Sequence, residues 1–171
     1  ADEIQTGVCR TGELLACHHE NIKADITILG KALAGGFYPV SGVLTSKKIM
    51  DVMKVGQHGS TFGGNPLACV VAKEAIKYAI ENNLSEKAHK LGLIFRNYLN
   101  DQINNLSIVK SVRGKGLLNA IVLNCDVNSE IPWNICLSMR DNGLLAKPTQ
   151  GNKIRFAPPL IITEKQLFHS L

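Results

Sequence analysis

Aromatic side chains are scarce in this sequence of 171 residues, where they make up 5% of the total and tryptophan occurs once. The 19 lysines and arginines are scattered along the chain and form no basic cluster. Proteins that bind nucleic acid usually combine a basic patch with aromatic side chains that stack on bases. A nucleic-acid partner is therefore disfavoured, whereas the formal net charge of +5 suits small anions such as phosphates and oxo acids.

Long apolar runs and a targeting signal are also missing. No run approaches the roughly 20 residues that a membrane-spanning helix needs, so we expect no membrane association. The N-terminus has no basic, apolar leader. Residues 1–3 resemble the tail of a strand and residues 164–171 stop inside a helical pattern, so we expect this chain to be a fragment of a longer protein.

No CxxC pair occurs among the five cysteines, which are Cys9, Cys17, Cys69, Cys125 and Cys136. An odd number of unpaired cysteines predicts free thiols in a reducing compartment, for which we expect the cytoplasm, with the mitochondrial matrix as the alternative. Their spacing builds no zinc site, and the adjacent side chains at residues 18–20 diverge, so we expect no metal.

Two familiar phosphate motifs are incomplete. Lys31 is followed by Ala32, whereas a P-loop needs serine or threonine after its lysine. In the Gly114-Lys115-Gly116 run, Asn119 stands where a dinucleotide fingerprint has its third glycine. We therefore expect neither a P-loop nor a dinucleotide site.

The apolar patterns predict two α/β parts. Strands are expected over residues 25–29, 38–44, 107–112, 117–123, 144–147 and 153–156. Helices are expected over residues 46–55, 66–81, 85–103 and 132–142, with a last helix that begins at a Thr163–Gln166 capping box. The asparagines at 104 and 105 mark the predicted boundary between domains 1–104 and 105–171.

Lys31 is the residue around which the candidate chemistry is arranged. It follows the apolar run of residues 26–29 and Gly30, so it stands at the end of a predicted strand. Apolar neighbours on its C-terminal side predict partial desolvation, which would favour a neutral, nucleophilic amine able to form a Schiff base. An ordinary solvated lysine is the alternative that local sequence leaves open.

Further polar residues flank this lysine in the sequence. Asp2 ends the strand before it, and a crossover between parallel strands would bring Asp2 and Lys31 to one sheet edge. Ser60, Thr61 and the glycines after them precede the helix that begins at Asn65-Pro66, where a phosphate could bind. An acid, a lysine and a hydroxyl-rich loop are the parts that pyridoxal phosphate requires.

Six segments make the resemblance to a known family dense over nearly the whole chain: ADEIQTG, LGKALAGG, YPVSGVL, HGSTFGGNPLAC, VRGKGLLNAIV and DNGLLAKPTQGNKIRFAPPL. They resemble the class III, or ω-amino acid, pyridoxal-phosphate aminotransferases. The resemblance implies fold type I, with residues 1–104 as the C-terminal portion of the large cofactor-binding domain and 105–171 as a truncated small domain.

The resemblance also implies roles for individual residues. Lys31 would hold the cofactor as a Schiff base and transfer protons, Asp2 would pair with the pyridine nitrogen, and Gln5 would contact the ring hydroxyl. Ser60 and Thr61 would reach the phosphate of the partner subunit's cofactor, which implies a homodimer. Local sequence alone allows a salt bridge for Asp2 and a loop-capping role for Gln5.

Arg155, in the run KIRFAPP, is the candidate for substrate binding. A guanidinium can hold a carboxylate through two parallel hydrogen bonds, which suits amino acid and oxo acid substrates. The resemblance implies that it holds the substrate's α-carboxylate, while an interdomain salt bridge is the alternative from local sequence.

Finer features suggest the amino donor. Glycine before Lys31, the YPVS run, and the DNGLLAKPT and IRFAPPL segments are most similar to members that transfer the δ-amino group of ornithine to 2-oxoglutarate. Acetylornithine and 4-aminobutyrate enzymes, an aminomutase, and a non-catalytic domain fragment remain alternatives. The fragment alone is expected to be inactive, because other parts of the site would precede Ala1.

Overall fold

The computed structural model describes residues 1–171, which fold as two compact units, Ala1–Ser85 and Glu86–Leu171. The domain boundary predicted at residue 104 lies later than this division. Helix α3 (Leu84–Ile103) accounts for the difference, because side chains such as Leu91 and Phe95 lie in the core of the second unit. In this chain the helix therefore packs with the part that follows it.

A small sheet organises the first unit. Strand β1 (Ile26–Leu29) pairs antiparallel with β2 (Gly42–Thr45), which is shorter than the strand predicted over 38–44. The segment before them runs parallel to β1, since Asp2 forms a parallel bridge with Ile28. The Ile28 amide donates to the Ala1 carbonyl at 2.9 Å, and the Ile28 carbonyl accepts from the amide of residue 3 at 2.9 Å. The predicted parallel crossover is confirmed.

Two α-helices follow in the first unit. Helix α1 (Lys47–Met50) is a single turn instead of the predicted helix over 46–55. Its expected apolar side includes Met53, which is exposed, and a short helix without a buried face is marginal in water. Helix α2 (Pro66–Glu81) has the predicted bounds. Asn65 caps it, because its side-chain oxygen accepts from the Ala68 amide at 2.9 Å.

The second unit is a four-stranded antiparallel sheet with helices packed on it. The sheet order is β3-β4-β6-β5. Its elements are β3 (Val109–Lys115), β4 (Leu118–Leu123), α4 (Ile131–Asp141), β5 (Lys147–Thr149), β6 (Lys153–Phe156) and α5 (Glu164–His169). Strand β5 begins where the strand predicted over 144–147 was expected to end. The remaining predicted elements of this unit overlap the observed ones.

The core of the second unit joins these helices to the sheet. The fully buried side chains at its centre are Leu117, Leu123, Ile154 and Leu167, and each contributes about 1.5–3 kcal/mol of hydrophobic stabilisation on burial. The rings of Phe95 and Phe156 pack against each other with centroids 5.4 Å apart. This core fixes β6, the strand that carries Arg155.

Helix α3 approaches the β3–β4 turn very closely. A Cβ atom at Gly92 would lie 1.9 Å from the Gly116 carbonyl oxygen, so only glycine fits there. One turn further along, Arg96 Nη1 donates to that oxygen at 3.1 Å and to Asn119 Oδ1 at 2.8 Å. Asn119 Nδ2 donates to the same carbonyl at 3.1 Å. These bonds lock the turn against the helix.

The predicted capping box of α5 is confirmed, and it provides a stability test. Thr163 Oγ1 accepts from the Gln166 amide at 3.2 Å, and Gln166 Oε1 accepts from the Thr163 amide at 2.9 Å. Thr163→Ala should lower the free energy of unfolding by about 1 kcal/mol, because an N-cap bond is lost. Urea denaturation monitored by circular dichroism would measure the change. Thr163→Ser keeps the hydroxyl and should retain most of the stability; equal losses in both variants would contradict the capping role.

Candidate functional site

Lys31 lies at the end of β1 in an unusual backbone conformation. After Gly30, it begins a 3-10 helix (Lys31–Ala34) with φ +43°, in the left-handed region. Side-chain-bearing residues avoid this region, and exceptions concentrate at functional sites. Leu33 and Ala34 are buried and fix the turn, whereas Lys31 is exposed. The predicted desolvation is therefore wrong for this chain: the apolar neighbours point inward and Lys31 stays on the outer side.

Asp2 and Gln5 lie at the same end of β1 as Lys31. Asp2 pairs with Ile28 in parallel orientation, and Lys31 comes three residues after Ile28, so both run towards one edge. Asp2 is exposed, and its Oδ1 accepts from the amide of residue 4 at 3.0 Å. Gln5 is half-buried in the turn that follows. The structure thus gathers a carboxylate, an amide and an amine at one end of a strand.

Ser60 and Thr61 belong to the same unit but to a separate, exposed segment before α2. Ser60 Oγ accepts from the Gly63 amide at 3.0 Å, which closes a tight turn. A Cβ at Gly63 would lie 2.9 Å from the Ser60 Cβ, so the turn requires glycine. Thr61 is exposed. The predicted arrangement of hydroxyls ahead of a helix N-terminus is present, and the 16-residue helix α2 begins five residues after Thr61.

Arg155 lies in the second unit, in the middle of β6. Its neighbours across the sheet are Ala120 on β4 and Lys147 on β5. Arg155 is half-buried, as is common for long basic side chains whose alkyl part covers apolar surface. Arg113, which sequence analysis does not assign a functional role, is exposed on β3.

Glu3 is a buried carboxylate that the sequence analysis does not single out. It is 3% exposed, although it directly follows the exposed Asp2. Its Oε2 accepts from Thr6 Oγ1 in a short hydrogen bond, and its Oε1 accepts from the Cys17 amide at 2.8 Å. Burial alone would raise the pKa of the Glu3 carboxyl, but the hydrogen bonds from Thr6, Cys17 and Ala16 together outweigh burial and lower it. Successive side chains of an extended segment point to opposite faces, so an outward Asp2 predicts an inward Glu3. This alternation is the sequence signal that could have indicated the burial of Glu3.

The lowered pKa of Glu3 predicts a specific acid sensitivity. A carboxyl whose folded-state pKa lies below its usual value of 4.5 stabilises the fold above pH 4.5, and this contribution is lost as the pH falls towards the folded-state pKa. Glu3→Gln should therefore lose less stability than the unaltered protein between about pH 5 and pH 3. Urea titrations at several pH values would measure this, with exposed Glu13 replaced by glutamine as the control. Parallel pH curves for the Glu3 variant and the unaltered protein would contradict it.

The donor set at the end of β1 fits pyridoxal phosphate. The exposed amine of Lys31 can attach to an aldehyde, and the exposed carboxylate of Asp2 can pair with a protonated pyridine nitrogen. The half-buried amide of Gln5 can contact a ring hydroxyl.

No three His, Cys, Asp or Glu side chains are grouped as metal ligands, and all five cysteines are free thiols. None of the helices is both long and apolar enough to cross a membrane.

This chain is similar to known proteins over its whole length. A family model described as aminotransferase class-III matches residues 1–171. The mitochondrial ornithine aminotransferase of Drosophila melanogaster is 53% identical over 171 residues, which are 100% of this chain and 38% of that protein. The chain therefore spans 38% of the length of this curated relative.

Two solved structures are also similar. The acetylornithine aminotransferase of Elizabethkingia anophelis is 58% identical with a TM-score of 0.93, over 98% of this chain and 42% of that one. An ornithine aminotransferase from Toxoplasma gondii, described as showing partial occupancy of PLP at its active site, is 45% identical with a TM-score of 0.93, over 99% of this chain and 40% of that one.

Proposed function

Because this chain belongs to the class-III aminotransferases, we propose that it is part of a pyridoxal-phosphate enzyme that transfers the δ-amino group of ornithine to 2-oxoglutarate. The products would be glutamate semialdehyde and glutamate. The observation that carries the proposal is the position of Lys31. An exposed lysine with a left-handed backbone stands one glycine after the end of a strand, and the segment parallel to that strand carries Asp2.

Each of the three residues at this strand end has a distinct role in the proposal. When bound, pyridoxal phosphate supplies an aldehyde that attaches amines and a ring that accepts electrons from the substrate carbon. Lys31 Nζ would hold the cofactor until the amine of the substrate displaces it, and the freed amine would then take the proton from the carbon that bears the reacting amino group. The Asp2 carboxylate holds a proton on the pyridine nitrogen, and the Gln5 amide orients the ring through its hydroxyl.

Two further groups complete the part of the site that this chain would provide. Arg155 would bind the α-carboxylate of amino acid and oxo acid substrates through its guanidinium. Ser60 and Thr61 would bind the cofactor phosphate of a second subunit, so the active form would be a homodimer. Large exposed side chains in the first unit support such a partner surface, among them Phe37 at 83% and Phe62 at 78% exposure.

Acetylornithine is the second candidate donor. The observation that favours it is the 58% identity to the acetylornithine aminotransferase of Elizabethkingia anophelis, which exceeds the 53% identity to the Drosophila ornithine enzyme. The two donors differ at the α-nitrogen, where ornithine carries a charge and acetylornithine a neutral amide.

The compartment is likewise a proposal. We propose the cytoplasm, with the mitochondrial matrix as the alternative that the mitochondrial name of the Drosophila relative supports.

The proposal is tested by mapping where pyridoxal phosphate attaches to the intact protein. After incubation with the cofactor and reduction with borohydride, peptide sequencing should find the label at Lys31 and at no other lysine. Release of the semialdehyde from ornithine, compared with the rates on acetylornithine and 4-aminobutyrate, would then identify the donor. An intact protein that shows no cofactor absorption band and no label at Lys31 would favour a non-catalytic role and overturn the proposal.

A further inference from the structure

A buried carboxylate lies directly beside the residues proposed to contact the cofactor. Asp2 and Gln5 are accessible or partly accessible, whereas Glu3 between them is 3% exposed. Glutamate is rarely buried to this extent unless its charge is compensated. Glu3 has no part in the proposed chemistry, so its burial requires a separate explanation.

The backbone and side chain of Glu3 connect three parts of the first unit. Its amide donates to the Ile28 carbonyl of β1 at 2.9 Å, and its carbonyl accepts from the Gly7 amide at 2.9 Å. Its carboxylate accepts from Thr6 Oγ1 and, at 2.8 Å, from the amide of Cys17 in the 3-10 helix Ala16–Glu20. One residue therefore ties β1, the turn that carries Gln5, and a helix more than ten residues later along the chain.

The turn that Glu3 closes leaves little freedom for its backbone. A Cβ at Gly7 would lie 2.8 Å from the Glu3 carbonyl oxygen, so a side chain at this position would clash. Both ends of the turn that carries Gln5 are thus fixed: the first by the Glu3 carboxylate, and the last by the close contact at Gly7. A residue carried on such a turn has a defined position before any ligand binds.

The residues immediately after this turn are strained. Val8 and Cys9 have φ values of +52° and +69°, and they are only 4% and 1% exposed. A left-handed valine is unfavourable because its branched Cβ crowds the backbone. Such conformations persist only where the surroundings determine them, and they concentrate at ligand sites. This backbone strain is an observation separate from the hydrogen bonds of Glu3. Both indicate that the segment of residues 3–9 is held in one conformation.

We propose that Glu3 is a positioning residue, whose buried carboxylate holds the turn of residues 3–7 so that Asp2 and Gln5 are placed for the cofactor ring. The proposal rests on the proposed function, because it assigns Glu3 a role towards the same cofactor. Glu3 itself touches neither the cofactor nor the substrate. Its contribution is to reduce the rearrangement that binding would otherwise require, which raises affinity without a direct contact.

The test uses the full-length protein after removal of its cofactor, with three measurements on each variant. These are the dissociation constant of added pyridoxal phosphate, the visible circular dichroism band of the bound cofactor, which reports ring orientation, and the thermal midpoint. Glu3→Gln keeps an oxygen for one donor but replaces the other acceptor with an NH₂ group. We expect it to weaken cofactor binding about 10-fold and to change the dichroism band, because ordering the loosened turn and its side chains would then oppose binding.

A pair of variants at Thr6 and a control at Glu13 make the result specific. Thr6→Val removes one donor to the Glu3 carboxylate but leaves the charge, and we expect a smaller change in the same direction; Thr6→Ser retains the hydroxyl and should behave like the unaltered protein. Glu13→Gln removes an exposed carboxylate from the same segment and should leave all three measurements unchanged. If Glu3→Gln fails to fold, the Thr6 pair carries the test.

The outcomes separate this proposal from the one on which it rests. A lower thermal midpoint with unchanged cofactor affinity and unchanged dichroism in both the Glu3 and Thr6 variants would show a purely structural role and overturn the positioning proposal. An unaltered protein that binds no pyridoxal phosphate and is not labelled at Lys31 would instead overturn the proposed function, and the role of Glu3 with it.

Discussion

Replacing Lys31 with alanine in the intact protein is expected to lower the rate of transamination by at least about 10³-fold. The amine would be lost both as the attachment point of the cofactor and as the group that moves the substrate proton. A residual affinity for pyridoxal phosphate should remain, because Asp2, Gln5 and the phosphate-binding hydroxyls are unchanged. Activity with ornithine and 2-oxoglutarate, measured at saturating cofactor, would quantify the loss.

The matched control for this variant is Lys23→Ala. Lys23 is also an exposed lysine of the first unit, but it precedes β1. Its replacement should leave the rate and the borohydride labelling of Lys31 unchanged. Turnover within a few-fold of the unaltered rate in Lys31→Ala would exclude this lysine as the catalytic amine and would require the proposed function to be abandoned.

Gly92→Ala is expected to cause the largest loss of stability among single methyl additions to the second unit. The new Cβ would lie 1.9 Å from the Gly116 oxygen and 2.4 Å from its carbonyl carbon. Both atoms belong to the backbone of a turn that Arg96 and Asn119 hold in place, so no flexible side chain can move aside. Overpacking usually costs about 1–3 kcal/mol, and we expect about 3 kcal/mol or more here.

A second glycine provides the comparison. At Gly42 in β2, an added Cβ would meet nothing within 4 Å. Gly42→Ala should therefore change the free energy of unfolding by no more than about 0.5 kcal/mol. Urea denaturation of both variants would measure the difference. Similar stability of Gly92→Ala and Gly42→Ala would show that α3 and the β3–β4 turn can separate at low cost.

The elements that sequence analysis predicts well have local causes. Helix α2 begins with an asparagine cap and a proline in its first turn, and both signals come from adjacent residues. The capping box of α5 likewise depends on residues three positions apart.

The predicted fold class, an α/β transferase of fold type I, is confirmed by TM-scores of 0.93 to aminotransferase structures.

The failures of prediction have causes that are distant along the chain. The apolar residues of the 46–55 segment indicate a helix, but no partner buries Met53, and the helix ends at Met50. The burial of Glu3 depends partly on the amide of Cys17, fourteen residues away. The exposure of Lys31 accompanies the burial of Leu33 and Ala34, whose 3-10 helix contacts α2 much later in the chain. None of these contacts is encoded in a short stretch of sequence.

The candidate site itself was only partly predictable. The positions of Asp2 and Lys31 at one edge followed from a parallel crossover, which the bridge between Asp2 and Ile28 confirms. The roles of these two residues, and those of Gln5, Ser60, Thr61 and Arg155, stay predictions, because they derive from the family resemblance and not from a contact with a ligand.

The parallel pairing of the N-terminal segment also has a kinetic consequence. The bond from the Ala1 nitrogen to the Ile26 carbonyl oxygen joins residues 25 positions apart, whereas β3 and β4 are joined by a two-residue turn. Closing a longer loop costs more chain entropy before any contact is gained, and hairpins form within about 1–10 μs. We therefore expect the β3–β4 hairpin to form early during refolding. The pairing that places Asp2 beside the end of β1 should form later.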